Sequence, residues 1–125
     1  MNEDINPKNT TRSNLQNKGL KEYRIAFKMK LFKGFEAEYK KRHDALWPDL
    51  KQLLKSKGIS EYSIFFDEST NCLFSIMKVE NLDALNELPS NPVMKKWWLY
   101  MKDIMETNDD NSPVSVSLKE VFYLP

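Results

Sequence analysis

ISEYSIFFDESTNCLFSIMKVE, residues 59–80, decides the fold. The polar run Asp67, Glu68, Ser69, Thr70 separates two segments rich in β-branched and aromatic side chains, Ile59 to Asp67 and Asn71 to Glu80, which is the pattern of a β-hairpin. Each segment also carries apolar side chains at adjacent positions: Ile64, Phe65 and Phe66 in one, Cys72, Leu73 and Phe74 in the other. Successive side chains on a strand point to opposite faces, so both faces of this hairpin need cover. Helices can supply it on one side, and a partner is required on the other.

Upstream, Tyr23, Ile25, Phe27, Met29 and Leu31 alternate with Arg24, Ala26, Lys28 and Lys30, which reads as a half-buried strand. Gly34 punctuates it, and residues 35 to 57 carry helix formers with Leu46, Leu50, Leu53 and Leu54 at helical spacing before a stop at Gly58. Pro48 requires a kink or break in that helix, or the start of a second segment. Downstream, Asn81 caps a short helix that Pro89 ends. Asn91 and Pro92 then open another helix through VMKKWWLYMKDIM, residues 93–105. Residues 107 to 117 form a polar connector, and Leu118 to Pro125 closes the chain as a last strand. Strand, helix, strand, strand, helix, strand is the α+β, ferredoxin-like βαββαβ sandwich, a single domain over residues 21–125. Its bare sheet face predicts a homodimer, hence a dimeric α+β barrel. Residues 1–20, rich in Asn, Lys and Thr, are expected to be a disordered extension.

Composition removes several functions. With 19 basic and 18 acidic side chains the net charge is +1, too little field to gather nucleic acid. The basic runs Lys40, Lys41, Arg42 and Lys95, Lys96 read as solvated helix faces. The sequence shows no apolar leader and no membrane-spanning stretch, so a cytoplasmic protein without membrane partners is expected. Cys72 stands alone in an apolar segment, where a free thiol is ordinarily inert core. One histidine and one cysteine at no familiar spacing make no metal site, and nothing announces a cofactor.

His43 is the only histidine and so the only side chain whose ordinary pKa, about 6.5, places its proton exchange near neutrality. Phe35, Tyr39, His43 and Trp47 recur at intervals of four, with the last depending on how the chain passes Pro48. Tyr39 and His43 share a helix face one turn apart. Trp97 and Trp98 are adjacent and point about 100° apart on a helix, so one packs with Met101 or Ile104 while the other is left for a pocket wall. Tyr62 alternates with Ile64 and Phe66, and its hydroxyl needs a partner if buried.

Four separated motifs, EYKKRHDALWPDL (38–50), EYSIFF (61–66), KKWWLYMKDIM (95–105) and DNSPVSVSLKEVFYLP (110–125), closely resemble the L-rhamnose mutarotase family, from about Tyr23 to the C-terminus. The first 20 residues are longer than that family's usual start. The resemblance implies small dimers of ferredoxin-like subunits, isomerases that interconvert the α and β anomers of L-rhamnose without a cofactor. It places the proton donor on His43 and the sugar-binding positions on Tyr39, Tyr62, Trp97 and Trp98. Two other classes stay open on the residues. One is a non-catalytic ligand- or haem-binding dimeric ferredoxin-like protein with His43 as an iron ligand. The other is a structural dimer with His43 on the surface, marked by both tryptophans being buried away from it.

Overall fold

The computed structural model describes residues 22–125, so the expected extension over residues 1–20 lies outside the described residues. The alternating segment forms β1 (Tyr23–Lys30), and the hairpin forms β2 (Ile59–Asp67) and β3 (Cys72–Val79). With β4 (Val116–Leu118) they make one antiparallel sheet in the order β2-β3-β1-β4. β3 is central, pairing with β1 from Tyr23↔Val79 to Lys30↔Cys72. At the hairpin turn the Asp67 carboxylate accepts from the hydroxyls of Thr70 and Ser69 and from the Ser69 backbone N–H. Those bonds, led by Thr70, hold its pKa below the usual carboxylate range.

Proline divides the first helical stretch as its chemistry requires. α1 spans Glu36–Asp44 and α2 spans Pro48–Ser56, with Pro48 in the first turn of α2, where a missing N–H costs nothing. Trp47 between them is extended at ψ 132°, the conformation a following proline enforces. Asn81 accepts from the Asp83 N–H to start α3 (Leu82–Leu85), and Asn91 accepts from the Val93 N–H to start α4 (Pro92–Met101). The βαββαβ ferredoxin-like sandwich is therefore present, with its first helix broken in two. Leu31, Leu50, Leu73, Met101 and Ile104 fill the space between sheet and helices. Full burial of each leucine contributes about 1.5–3 kcal/mol. No helix among the described residues is long and apolar enough to cross a membrane.

Two expected boundaries are corrected. α4 ends at Met101 instead of continuing to Met105. The Tyr100 carbonyl is taken by the Arg42 guanidinium (2.7 Å), and the Ile104 N–H turns to Met101 at 3.1 Å, a tighter bond that closes the helix. The last strand covers only Val116–Leu118, and residues 119–125 continue without sheet pairing. Ala26 pairs with Leu118, so Val121 would already fall opposite Tyr23, where β1 begins, and the chain beyond it passes the end of that strand.

Gly58 turns the chain from α2 into β2 at φ +79°, and a Cβ there would lie 3.1 Å from the Cβ of Glu80. Gly58→Ala is expected to cost at least the roughly 1–2 kcal/mol of a left-handed non-glycine residue, read as a lower urea midpoint at unchanged slope. An unchanged midpoint would show that this turn is not under conformational constraint.

Candidate active site

Between the helices and the inner sheet face lies a cleft bordered by all five candidate residues: Tyr39, His43, Tyr62, Trp97 and Trp98. α1 sets the first two. Their rings stack at 4.3 Å and 29°, and His43 Nδ1 lies 3.0 Å from the Tyr39 carbonyl oxygen. A carbonyl only accepts, so Nδ1 carries the proton of the neutral ring and Nε2 is left as the acceptor. Burial lowers the His43 pKa from 6.5, against a smaller opposing pull from the Tyr39 carbonyl and the Asp44 charge. His43 is therefore a neutral base at neutral pH.

Trp97 fixes the imidazole from the other side, with ring centroids 5.3 Å apart at 89°. It is buried in the core with Met101 and Ile104, while Trp98 is half-buried, so the division of labour read from their adjacency holds. Trp97 is nonetheless in edge contact with His43, which removes the arrangement that would have marked a structural dimer with a surface histidine.

Tyr62 reaches the cleft through an irregularity in β2. Ser60 pairs with Lys78 and Ser63 with Ile76, so Glu61 and Tyr62 together stand opposite the single residue Met77. Glu61 absorbs the extra residue at φ +47°, and its carboxylate reaches Lys78 at 3.2 Å. Strict alternation would send Ile59 and Tyr62, three positions apart, to opposite faces. The bulge lets both face the cleft. Tyr62 is 38 % exposed as a residue, yet its hydroxyl end is crowded by neighbouring atoms, and burial raises its pKa. Burial likewise pushes the Tyr39 phenol up, with the Tyr62 phenol adding to the shift. The cleft thus holds two protonated phenols, a neutral imidazole and two indoles, while the charged residues that line it, Glu36, Lys40, Asp44, Lys51, Lys55 and Glu61, are all exposed.

Sequence reasoning missed the frame behind these residues. Arg42, read as part of a solvated basic run, has a side chain only 10 % exposed. It donates to Glu38 (2.8 Å), to Asp103 (2.9 and 3.3 Å) and to the Tyr100 carbonyl, and its guanidinium lies 4.4 Å over the Tyr100 ring. Tyr100 stacks on Trp47 at 5.5 Å, and Trp47 meets Trp97 edge-on at 5.1 Å. The usable signal was Glu38 four residues before Arg42; the partners Asp103 and Tyr100, about sixty residues away, had none.

The fold and the cleft define a ferredoxin-like α+β protein with a neutral imidazole among aromatic, hydrogen-bonding side chains and charged groups confined to exposed positions, suited to an uncharged polyhydroxylated ligand. A model of the L-rhamnose mutarotase family matches residues 24–124. An L-rhamnose mutarotase of Formosa agariphila is 59 % identical over 101 residues, covering 81 % of this chain and 97 % of the relative. One of Clostridium beijerinckii is 59 % identical over 99 residues, covering 79 % and 95 %. A crystal structure of an L-rhamnose mutarotase from Formosa agariphila superposes with a TM-score of 0.77 at 58 % identity, covering 82 % of this chain and 99 % of that one. A protein from Methanosarcina mazei, at TM-score 0.55 and 11 % identity over 79 % and 92 % of the two chains, shares the fold alone. The chain belongs to the L-rhamnose mutarotase family.

With one histidine, imidazole ¹⁵N spectra are unambiguous. They are expected to show the Nδ1–H tautomer and a titration midpoint below about 6.5. The unfolded chain then binds this proton before the folded one does, so between the two pKa values His43 makes stability rise with pH and fall toward acid. An Nε2–H tautomer would overturn the assignment.

Proposed function

We propose that this protein interconverts the α and β anomers of L-rhamnose by general acid/base opening and reclosure of the ring, with His43 moving the proton. Anomer exchange needs only proton transfers: the anomeric hydroxyl loses one, the ring oxygen gains one, and the bond between the anomeric carbon and the ring oxygen breaks. The free aldehyde rotates and the steps reverse. Both oxygens sit on the same carbon, so one nitrogen can serve both. Nε2 takes the anomeric proton, delivers it to the ring oxygen as the bond breaks, and is neutral again.

The observation that carries this reading is the Nδ1 contact to the Tyr39 carbonyl, which leaves Nε2 as the proton acceptor of a ring held between Tyr39 and Trp97. Nδ1–H donating to the carbonyl also stabilises the transient imidazolium. A positioned acid or base of this kind contributes roughly 10² to 10⁴ in rate. Tyr39 and Tyr62, protonated, hydrogen-bond the sugar hydroxyls. A tryptophan lies against the ring or the methyl group of the 6-deoxy sugar, where apolar contact is favoured. Charge inside the cleft would add nothing for a neutral substrate.

The same reading makes the protein a cytoplasmic homodimer, with residues 21–125 as its working unit. The outer sheet face supports pairing: Val116, Lys28, Phe74 and Phe65 form one cross-strand row, and Leu118, Ala26, Ile76 and Ser63 the next. Phe65 is 61 % exposed, and Ile76, Val116 and Leu118 are exposed beside it. An apolar sheet face of this kind is covered most simply by a second copy of itself about a two-fold axis.

Saturation-transfer NMR on L-rhamnose tests the activity. Wild-type protein is expected to speed exchange between the anomers. His43→Ala, still folded, should lose about 10²-fold or more of that rate. After subtraction of the spontaneous reaction, kcat/KM should decline toward acid with a midpoint below about 6.5. Wild-type exchange by folded His43→Ala would end the assignment. Sedimentation velocity is expected to give a dimer that Phe65→Glu splits into monomers; a monomeric wild type would refute the pairing.

A further inference from the structure

Ser75 is a polar residue buried in the middle of the sheet. It lies in the central strand β3, is 0 % exposed, and its hydroxyl has no hydrogen-bond partner among the described residues. Its neighbours within the sheet on this face are apolar. Leu73 and Met77 flank it along the strand, and Phe27 and Ile64 stand opposite it on the neighbouring strands. A buried hydroxyl left unpaired is costly, and alanine would fit the same space without that cost.

A polar side chain close to it is Tyr62. Ile64 is Ser75's direct partner, and Tyr62, two positions earlier, is brought to the same face by the bulge. The Ser75 hydroxyl lies beside the Tyr62 phenol, near enough to hold its pKa down against burial, without completing a hydrogen bond to it. A phenol can donate one hydrogen bond and accept others, so an unsupported Tyr62 hydroxyl can point its proton either at the serine or at the cleft.

We propose that Ser75 is a positioning residue for Tyr62: its hydroxyl donates to the phenol oxygen and thereby commits the phenol proton to a hydroxyl of the bound sugar. The chain then runs in one direction, serine to tyrosine to sugar. Each bond polarises the next, and the buried serine acquires the partner it otherwise lacks. The inference deepens the sugar-binding role proposed for Tyr62 and rests on that reading.

A double-mutant cycle tests it. Because alanine removes an unpaired hydroxyl, Ser75→Ala is expected to melt no lower than wild type. It should nevertheless raise KM for L-rhamnose about five- to tenfold, with kcat within about twofold, the size of one net hydrogen bond. In a Tyr62→Phe background the same substitution should leave KM unchanged. With L-rhamnose at saturation, the ¹³Cζ resonance of Tyr62, assigned by its loss in Tyr62→Phe, should shift in Ser75→Ala while those of the other tyrosines hold. A wild-type KM in Ser75→Ala, an equal increment in both backgrounds, or an unmoved Tyr62 resonance would overturn the relay while leaving the mutarotase reading intact. A wild-type protein that neither speeds exchange nor shows a Tyr62 response to L-rhamnose would overturn both.

Discussion

Arg42 is the junction on which the cleft depends. From the last turn of α1 its guanidinium reaches back to Glu38 in the first turn and across to the end of α4 through the Tyr100 carbonyl and Asp103, and it lies over the Tyr100 ring. Lysine could supply the charge but not this planar set of donors. Because Arg42 precedes His43 and Tyr100 follows Trp97 by three residues, clamping one pair brings the other into edge contact. The same bond stops α4 by occupying a carbonyl that the helix would otherwise use. Closing the helix and seating the base against its aromatic neighbour are thus one event. Trp47, freed from helical torsions by Pro48, completes the frame by bridging Tyr100 and Trp97.

Within that frame the chemistry is set by what burial does to each group. The imidazole is driven toward its neutral form and the two phenols are kept protonated. Each shift arises from the same loss of solvent, yet the results are complementary: one acceptor for a proton among several donors for hydroxyls. A charged group placed among them would alter these pKa values and pay a desolvation cost. Asp44, at the border and exposed, exerts only a minor pull on His43. The tautomer is fixed by a backbone atom, which no side-chain substitution elsewhere in the cleft can remove.

Much of the fold was legible because it is local. Alternation over Tyr23–Lys30, the polar turn after Asp67, Pro48 at a helix start and the caps Asn81 and Asn91 each announce themselves within a few residues. The Tyr39 and His43 pair was legible for the same reason, through its one-turn spacing. Tyr62, Trp97 and Trp98 were suggested by residue type, and the sugar-binding roles proposed for them come from the family resemblance, since no local rule says that separate elements converge. Arg42 was misread because a basic run looks solvated until its distant partners are known. The end of α4 and the short final strand were misplaced for related reasons: one is set by a guanidinium from another helix, the other by where a distant strand begins. Ser75 gave no signal at all, being a single serine among apolar neighbours in its strand.

The bulge at Glu61 and Tyr62 has a consequence for how this chain can change. β2 carries two phases of alternation in one strand, with Ile59 following the earlier phase and Tyr62 the later. If the bulge were flattened with both residues kept in regular pairing, the strand could keep either its buried isoleucine or its cleft tyrosine facing inward, but not both. Loss of Glu61 would instead leave the two residues two positions apart and on one face, whereas a further residue added without a bulge of its own would separate them again. Such an insertion sets core packing against the ligand contact proposed for Tyr62, which ties the count of residues in this segment to the site.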